Sequence, residues 1–439
     1  MKELETPHRR LGIPSGIALV VSSMVGTGIF SSTGLLIREL GSARLVLFAW
    51  FIGGVLAAAG ALAYGRLAVA LPENGGEYMI LSRLYQPALG AVAGWIAFVA
   101  GFSAPLSAAA TAFASYAASS LPDSSAAVSV QGTHNWQSML TALGVIWSMT
   151  ALHLRGIGFG ARLQVVVTLF QIVLLTLFIG VGLLLGNPSH LFTQAQPNSA
   201  TTTPSAFAHG LIYVSYSYSG YNAAVYVAGE MRHPHRALPI ALLSATGLVA
   251  VLYCLINVVY MTSAPLERLN GSINIAAVAT EQLVGRPAAH AMSAMISLCL
   301  LGFISAMTVT GPRVLLAMSI DLPRLSRLAP KRNDAPPVAA TLMQSSLASL
   351  LVLTSSFDAL LTYVGLMLSL VTLLAFWGVF RLERIAPMFA PSRLTAIAAC
   401  SASSFLVWVI AATAVDAPRT FSVALATLVC AIAVTCWLK

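Results

Sequence analysis

Apolar residues fall along this chain in long blocks separated by short polar segments. A bilayer's hydrocarbon core of about 30 Å needs about 20 apolar residues per helix. Twelve stretches meet or approach that length: 13–37, 44–70, 88–119, 138–154, 158–186, 206–228, 238–263, 288–318, 338–356, 358–380, 395–415 and 420–438. The shortest break, Ser355-Ser356-Phe357-Asp358, reads as a tight turn with a helix-starting Asp. Pro105 is expected to kink the third stretch, which is longer than a membrane is thick. Residues 265–287 read as a short amphipathic helical lid. The first apolar run is 25 residues long, against about 7–15 for a signal peptide, so with Pro7-His8-Arg9-Arg10 before it it reads as a retained anchor.

Composition agrees with the blocks. Of 439 residues 58% are hydrophobic and 8% are charged, against about 25% charged in a soluble domain. Too little charge is available to wet a soluble surface. That excludes a cytosolic enzyme, a disordered chain and a secreted disulfide scaffold, and leaves an all-α integral membrane protein. The formal charge of +9 is read by side. With the N-terminus inside, 18 of the 23 basic residues fall on inner segments and 5 on outer ones. The positive-inside rule then places both termini in the cytoplasm of a multi-pass protein of the cell inner or plasma membrane. The basic residues read as solvated inner loops, with no nucleic-acid partner. The five cysteines, Cys254, Cys299, Cys400, Cys430 and Cys436, all lie in apolar stretches. They read as packing residues rather than a disulfide framework. No metal site or cofactor is expected.

Two stretches are interrupted near their middles. The first carries Ser22-Ser23-Met24-Val25-Gly26-Thr27-Gly28-Ile29-Phe30, and the sixth carries Ser215-Tyr216-Ser217-Tyr218-Ser219-Gly220-Tyr221-Asn222. Gly26 and Ser219 stand 193 residues apart, as do positions 13 and 206. Broken helices in corresponding positions point to an inverted-repeat transporter. The parts are a tail, 1–11, a first repeat of helices 1–5, 12–186, a second of helices 6–10, 206–380, and helices 11–12, 395–439. Unwinding at mid-membrane frees backbone N–H and C=O groups that lipid cannot satisfy. A half-helix N-terminus suits a carboxylate, and a half-helix C-terminus suits a cation. A zwitterionic α-amino acid meets both ends at once. A lone Gly-Thr-Gly would read as a helix-packing site; its counterpart in the other half favours binding. None of the 14 acids falls at the centre of a stretch, and no Lys or Arg does. Substrate charge is therefore left to backbone and hydroxyl groups.

These residues resemble amino acid permeases of the amino acid–polyamine–organocation superfamily, near the L-amino-acid-transporter branch. Val25-Gly26-Thr27-Gly28-Ile29-Phe30 is similar to that family's first-helix break. Tyr216 to Asn222, with Val227-Ala228-Gly229-Glu230 and Leu238-Pro239, is similar to its sixth-helix signature. Pro72-Glu73-Asn74-Gly75-Gly76-Glu77-Tyr78 and Thr310-Gly311-Pro312-Arg313 resemble its second-helix loop and the end of its eighth helix. The resemblance implies twelve transmembrane helices in a leucine-transporter-type five-plus-five inverted repeat. It implies substrate carboxylate on the N–H groups around Thr27, Gly28 and Ile29, amino group on carbonyls near Ser23, Met24 and Tyr216, and further substrate contacts from Gly26, Ser217, Ser219 and Gly220. Tyr216 takes the place of an aromatic lid, and Glu230 that of an inner-gate residue, paired with a basic residue or capping N–H groups.

Two departures bear on mechanism. Aligning Gly156 and Arg162 puts Gln171 where many relatives carry a lysine that replaces a sodium ion. Coupling to sodium, to a proton, or to exchange of substrates stays open, with Ser22, Val25, Gln171, Ser305 and Thr308 as the candidate coupling residues. The loop 120–137 holds no cysteine, so no disulfide-linked heavy chain is expected. The reading is a secondary active transporter of neutral L-amino acids working by alternating access in a lipid bilayer, not an enzyme. Its rivals are a polyamine or amine antiporter, which would prefer acids in the site, a membrane-embedded enzyme, which would need clustered His or acids, and a nutrient sensor.

Overall fold

The computed structural model describes residues 11–121, 136–154, 160–192, 203–322, 324–325 and 337–438. The tail 1–10, most of the cysteine-free loop 120–137, and Gly156, which anchors the alignment of Gln171, lie outside them. Among the described residues the elements are helices, and an isolated β-bridge pairs Leu11 with Met231. This is what an apolar surround enforces, since a helix satisfies its own backbone.

In chain order the helices are α1 (Ile13–Met24), α2 (Thr27–Leu40), α3 (Ala43–Ala70), α4 (Gly76–Leu84), α5 (Pro87–Ile96), α6 (Ala104–Ser119), α7 (Trp136–Leu154), α8 (Gly160–Leu185) and α9 (Pro204–Tyr218). A 3-10 helix, Ala223–Glu230, precedes α10 (Pro234–Ser263). Then come α11 (Leu266–Leu269), α12 (Ile275–Val284), α13 (Arg286–Asp321), α14 (Val338–Thr354), α15 (Phe357–Ile385), α16 (Arg393–Asp416) and α17 (Pro418–Leu438). Nine helical runs among the described residues are long and apolar enough to cross a membrane, α1–α2 and α5–α6 each counting as one run. The stretches 138–154, 206–228 and 338–356 are met by α7, by α9 with the 3-10 helix, and by the 17-residue α14. The protein is a helical, multi-pass membrane protein.

Helices α3 and α10 pack together, as do α1 with α10, α2 with α9, and α13 with α6. Large apolar side chains such as Phe51, Leu184, Trp377 and Trp437 are exposed on the outside, as a lipid-facing surface requires. At Pro105, where a kink is expected, the structure shows instead that the helix widens to π geometry over Ala97–Ser103 just before it. The extra residue absorbs the hydrogen bond that proline cannot donate.

Two expectations are corrected. The cap of α15 is Ser356, whose hydroxyl accepts from the Ala359 N–H at 3.2 Å, and Asp358 is used elsewhere. Of the five cysteines only Cys299 is buried; Cys400, Cys430 and Cys436 are exposed on α16 and α17. An apolar stretch does not tell a lipid-facing position from a packed one, because lipid is as apolar as a neighbouring leucine.

Candidate functional site

Both interruptions are true helix breaks. Helix α1 stops at Met24, Val25 and Gly26 leave helical geometry, and α2 restarts at Thr27. Helix α9 stops at Tyr218, Gly220 turns with φ +99°, and the 3-10 helix follows from Ala223. The two breaks face one cavity of about 550 Å³. Ser23, Met24, Gly26, Thr27 and Gly28 line it from one side, and Tyr216, Ser217, Ser219 and Gly220 from the other. Ile29, the remaining candidate substrate contact, is fully buried and is not part of the wall. The cavity reaches the surface at Ser15 and Arg313, both exposed.

At its far end the cavity is sealed by contact between α2 and α9. A Cβ on Gly28 would stand 2.5 Å from the Ser217 Cα. Ser32 and Ser217 hydroxyls meet at 2.8 Å, and the Thr27 and Tyr216 hydroxyls are bonded. Gly28 therefore packs α2 on α9 and lines the cavity as well. Farther out, Arg38 bonds Asp358 at 2.8 Å and Glu39 at 3.2 Å, Tyr213 donates to Asp358, and His209 lies 3.6 Å from Glu39.

The start of α2 has no side-chain cap, so its first-turn N–H groups stay available at a positive helix end. A carboxylate there gains charge-assisted hydrogen bonds, each about 1.5–3 kcal/mol. The carbonyls opposite are partly used. The Met24 carbonyl accepts from the Tyr253 hydroxyl at 2.6 Å and from the Gly26 N–H at 2.8 Å, and the Tyr216 carbonyl accepts from the Ser219 N–H at 3.0 Å.

The coupling candidates separate. The Gln171 amide donates to the carbonyls of Val25 at 3.3 Å and Cys299 at 3.4 Å, while its own oxygen is buried without a partner. Ser22 bonds the Leu19 carbonyl, Thr308 bonds the Ile304 carbonyl, and Ser305 bonds His153 at 2.9 Å. The structure brings Gln171 and Val25 together and leaves the three hydroxyls on other partners. No group of His, Cys, Asp or Glu suited to a metal occurs among the described residues. Glu230 is exposed and makes no ion pair among them. What it contributes is its main-chain carbonyl, which accepts from the Leu11 N–H at 3.0 Å.

Sequence reasoning did not single out Glu77. It lines the cavity, is buried, and accepts from the Tyr64 hydroxyl at 3.2 Å and, in closer bonds, from Asn222 and Tyr226. Burial pushes its carboxyl above the ordinary range, while those donors pull it back in part. The Gly-Gly-Glu-Tyr motif was the visible signal, but hydropathy marks it as a loop.

The sequence profile of the amino acid permease family matches residues 11–436. The chain is 25% identical over 383 residues to the serine/threonine exchanger SteT of Bacillus subtilis (strain 168), covering 86% of this chain and 84% of that one. It is 26% identical over 369 residues to the human Asc-type amino acid transporter 1, covering 81% and 68%. It is 26% identical over 374 residues to the human large neutral amino acids transporter small subunit 2, covering 81% and 66%. The chain belongs to the amino acid permease family.

Proposed function

We propose that this permease exchanges neutral L-amino acids by alternating access, with twelve crossings, a five-plus-five inverted repeat over 12–186 and 206–380, and both termini cytoplasmic. The cavity in this conformation then opens to the cytoplasm. The observation that carries the reading is the uncapped start of α2 at a cavity whose wall is uncharged around that first break. Its charged residues are Glu77 and Arg313, and Arg313 lies at the mouth. Backbone N–H groups take the carboxylate, carbonyls of Ser23 and Met24 take the ammonium, and Tyr216 closes the site from the sealed side. A wall that is neutral beside the start of α2 disfavours cationic and dianionic side chains, and Glu77, the acid in the lining, already accepts from Tyr64, Asn222 and Tyr226, which speaks against its use as an amine site.

Exchange is favoured over ion coupling by Gln171. Its amide already donates to the Val25 carbonyl, so a cation there would displace an existing bond. The names of the relatives, an exchanger of serine and threonine among them, point the same way. The test is uptake into proteoliposomes of a labelled amino acid panel, with sodium, pH gradient and internal substrate varied separately. We expect uptake to require internal neutral amino acid and to ignore sodium. Equal competition by arginine, glutamate and serine would overturn the substrate class, and sodium-driven accumulation would overturn exchange.

A further inference from the structure

Glu77 is the one acidic side chain buried among the described residues, at 5% exposure. No Arg, Lys or His among them pairs with it. Binding a zwitterion at two helix ends does not require it. Its three side-chain donors come from two elements: Tyr64, buried on α3, and Asn222 and Tyr226, in the cavity wall at the start of the 3-10 helix and within it. The turn that leads into α4, whose first turn carries Glu77, is moulded onto the same 3-10 helix. Gly76 sits at φ +60°, and a Cβ there would stand 2.4 Å from the Tyr226 ring. The Gly75 N–H donates to the Tyr226 carbonyl at 3.3 Å, and the Gly229 N–H donates to the Asn74 side chain at 2.9 Å.

Resting on the transport reading above, we propose that Glu77 is a positioning residue of the transport cycle. Its ionised carboxylate holds Asn222 and Tyr226 in the cavity wall, and a proton taken from the cavity water loosens that hold, most directly at Tyr226. An ionised carboxylate only accepts, which suits three donors. A proton on the oxygen facing Tyr226 makes that oxygen a donor. Tyr226 must then turn its own hydrogen away, while Tyr64 and Asn222, which already share the other oxygen, stay on an acceptor that has lost its charge. The proton returns to the same water when the carboxylate re-forms.

No cation pairs with Glu77 among the described residues, and the other charged residue of the cavity wall, Arg313 on α13, lies at the exposed mouth. From α3 the group facing Glu77 is Tyr64, and from the sixth span Tyr221 and Tyr226. Helix α5, packed on α4, has no titratable side chain. Helix α15 contributes Arg381, bound to the Leu84 carbonyl at the other end of α4. On the same segment Arg83 pairs with Glu73, and Tyr78 bonds Asp321. Burial raises the carboxyl, so the ionised clasp, complete at high pH, is lost as pH falls through a value above the ordinary carboxylate range.

The test uses the full chain in proteoliposomes, exchanging labelled L-serine, with pH lowered from about 8 to about 5 on the face where the cavity opens. The parent should slow on acidification. Glu77→Gln should lower the maximal rate roughly tenfold with KM within about twofold, and its profile should be flat in acid. Glu77→Asp should recover the acid limb and part of the rate. Tyr226→Phe should slow exchange and move the limb to higher pH, because a donor to the ionised form is gone. Parent-like rate and acid limb in Glu77→Gln would overturn the proposal. So would an unchanged rate and limb in Tyr226→Phe, which decides alone if Glu77→Gln does not fold. If the parent moves no serine, the substrate reading fails by itself. Hydrogen exchange over 219–231 in detergent then decides the clasp: faster exchange in Glu77→Gln supports it, and equal exchange overturns it.

Discussion

The first and sixth spans are tied to their neighbours at two ends, by different chemistry. At the sealed end, α2 and α9 touch backbone to backbone at Gly28 and Ser217, and a partly exposed ion pair, Arg38 with Asp358, joins α2 to α15. At the open end, the 3-10 helix is held by a single buried carboxylate and neutral donors. The sealed end depends on shape. Its ion pair is an addition of about 0–1 kcal/mol, as exposed pairs generally are. The open end depends on a charge with no opposite partner, so its hold follows ionisation.

The comparison breaks most readily at the sealed end. Gly28→Leu should abolish serine exchange and cost about 1–3 kcal/mol of stability, since the Ser217 backbone cannot step aside. Thermal unfolding and uptake together check this. Retained uptake would show that the seal does not need that contact. Gln171→Ala should be next, costing about 1–3 kcal/mol by leaving the Val25 and Cys299 carbonyls without their donor. Uptake with and without sodium would show whether a cation then takes the amide's place; persistent sodium independence would mean that these carbonyls are not a latent ion site. Tyr216→Phe removes the hydroxyl bonded to Thr27 and should lower exchange several-fold, for a loss of about 1 kcal/mol. Unchanged kinetics would reduce Tyr216 to a packing residue. Asp358→Asn should matter least. A loss below about 1 kcal/mol, fading in high salt, is expected by denaturation at two salt concentrations. A larger, salt-independent loss would mean that the sealed end, too, rests on charge.

Much of the architecture was legible in the residue order. The blocks coincide with helices, and the Gly-Thr-Gly and Ser-Gly interruptions coincide with breaks, because a low-propensity pair of glycines in an apolar run has few local alternatives. Nine of the ten expected substrate contacts line the cavity. Ile29 does not, because its side chain turns into the core while only its main chain belongs to the α2 terminus. Glu230 and Glu77 differ for a similar reason. Both are acids at the edge of apolar stretches, and nothing local distinguishes the exposed one from the buried one. Only the fold of Gly75-Gly76 against Tyr226 does.

The scarcity of charge, the length of the apolar blocks and the two breaks are properties of consecutive residues, and the order of residues alone determined them. Solvent and backbone chemistry decide where a chain spans lipid and where a helix fails. Which carboxylate is buried, which carbonyls Gln171 reaches, and which cysteines face lipid depend on contacts across 128 to 149 residues of sequence in the cases measured. The tertiary structure decided those, because burial and hydrogen-bond partners are set by which helices pack together, and no local pattern records that.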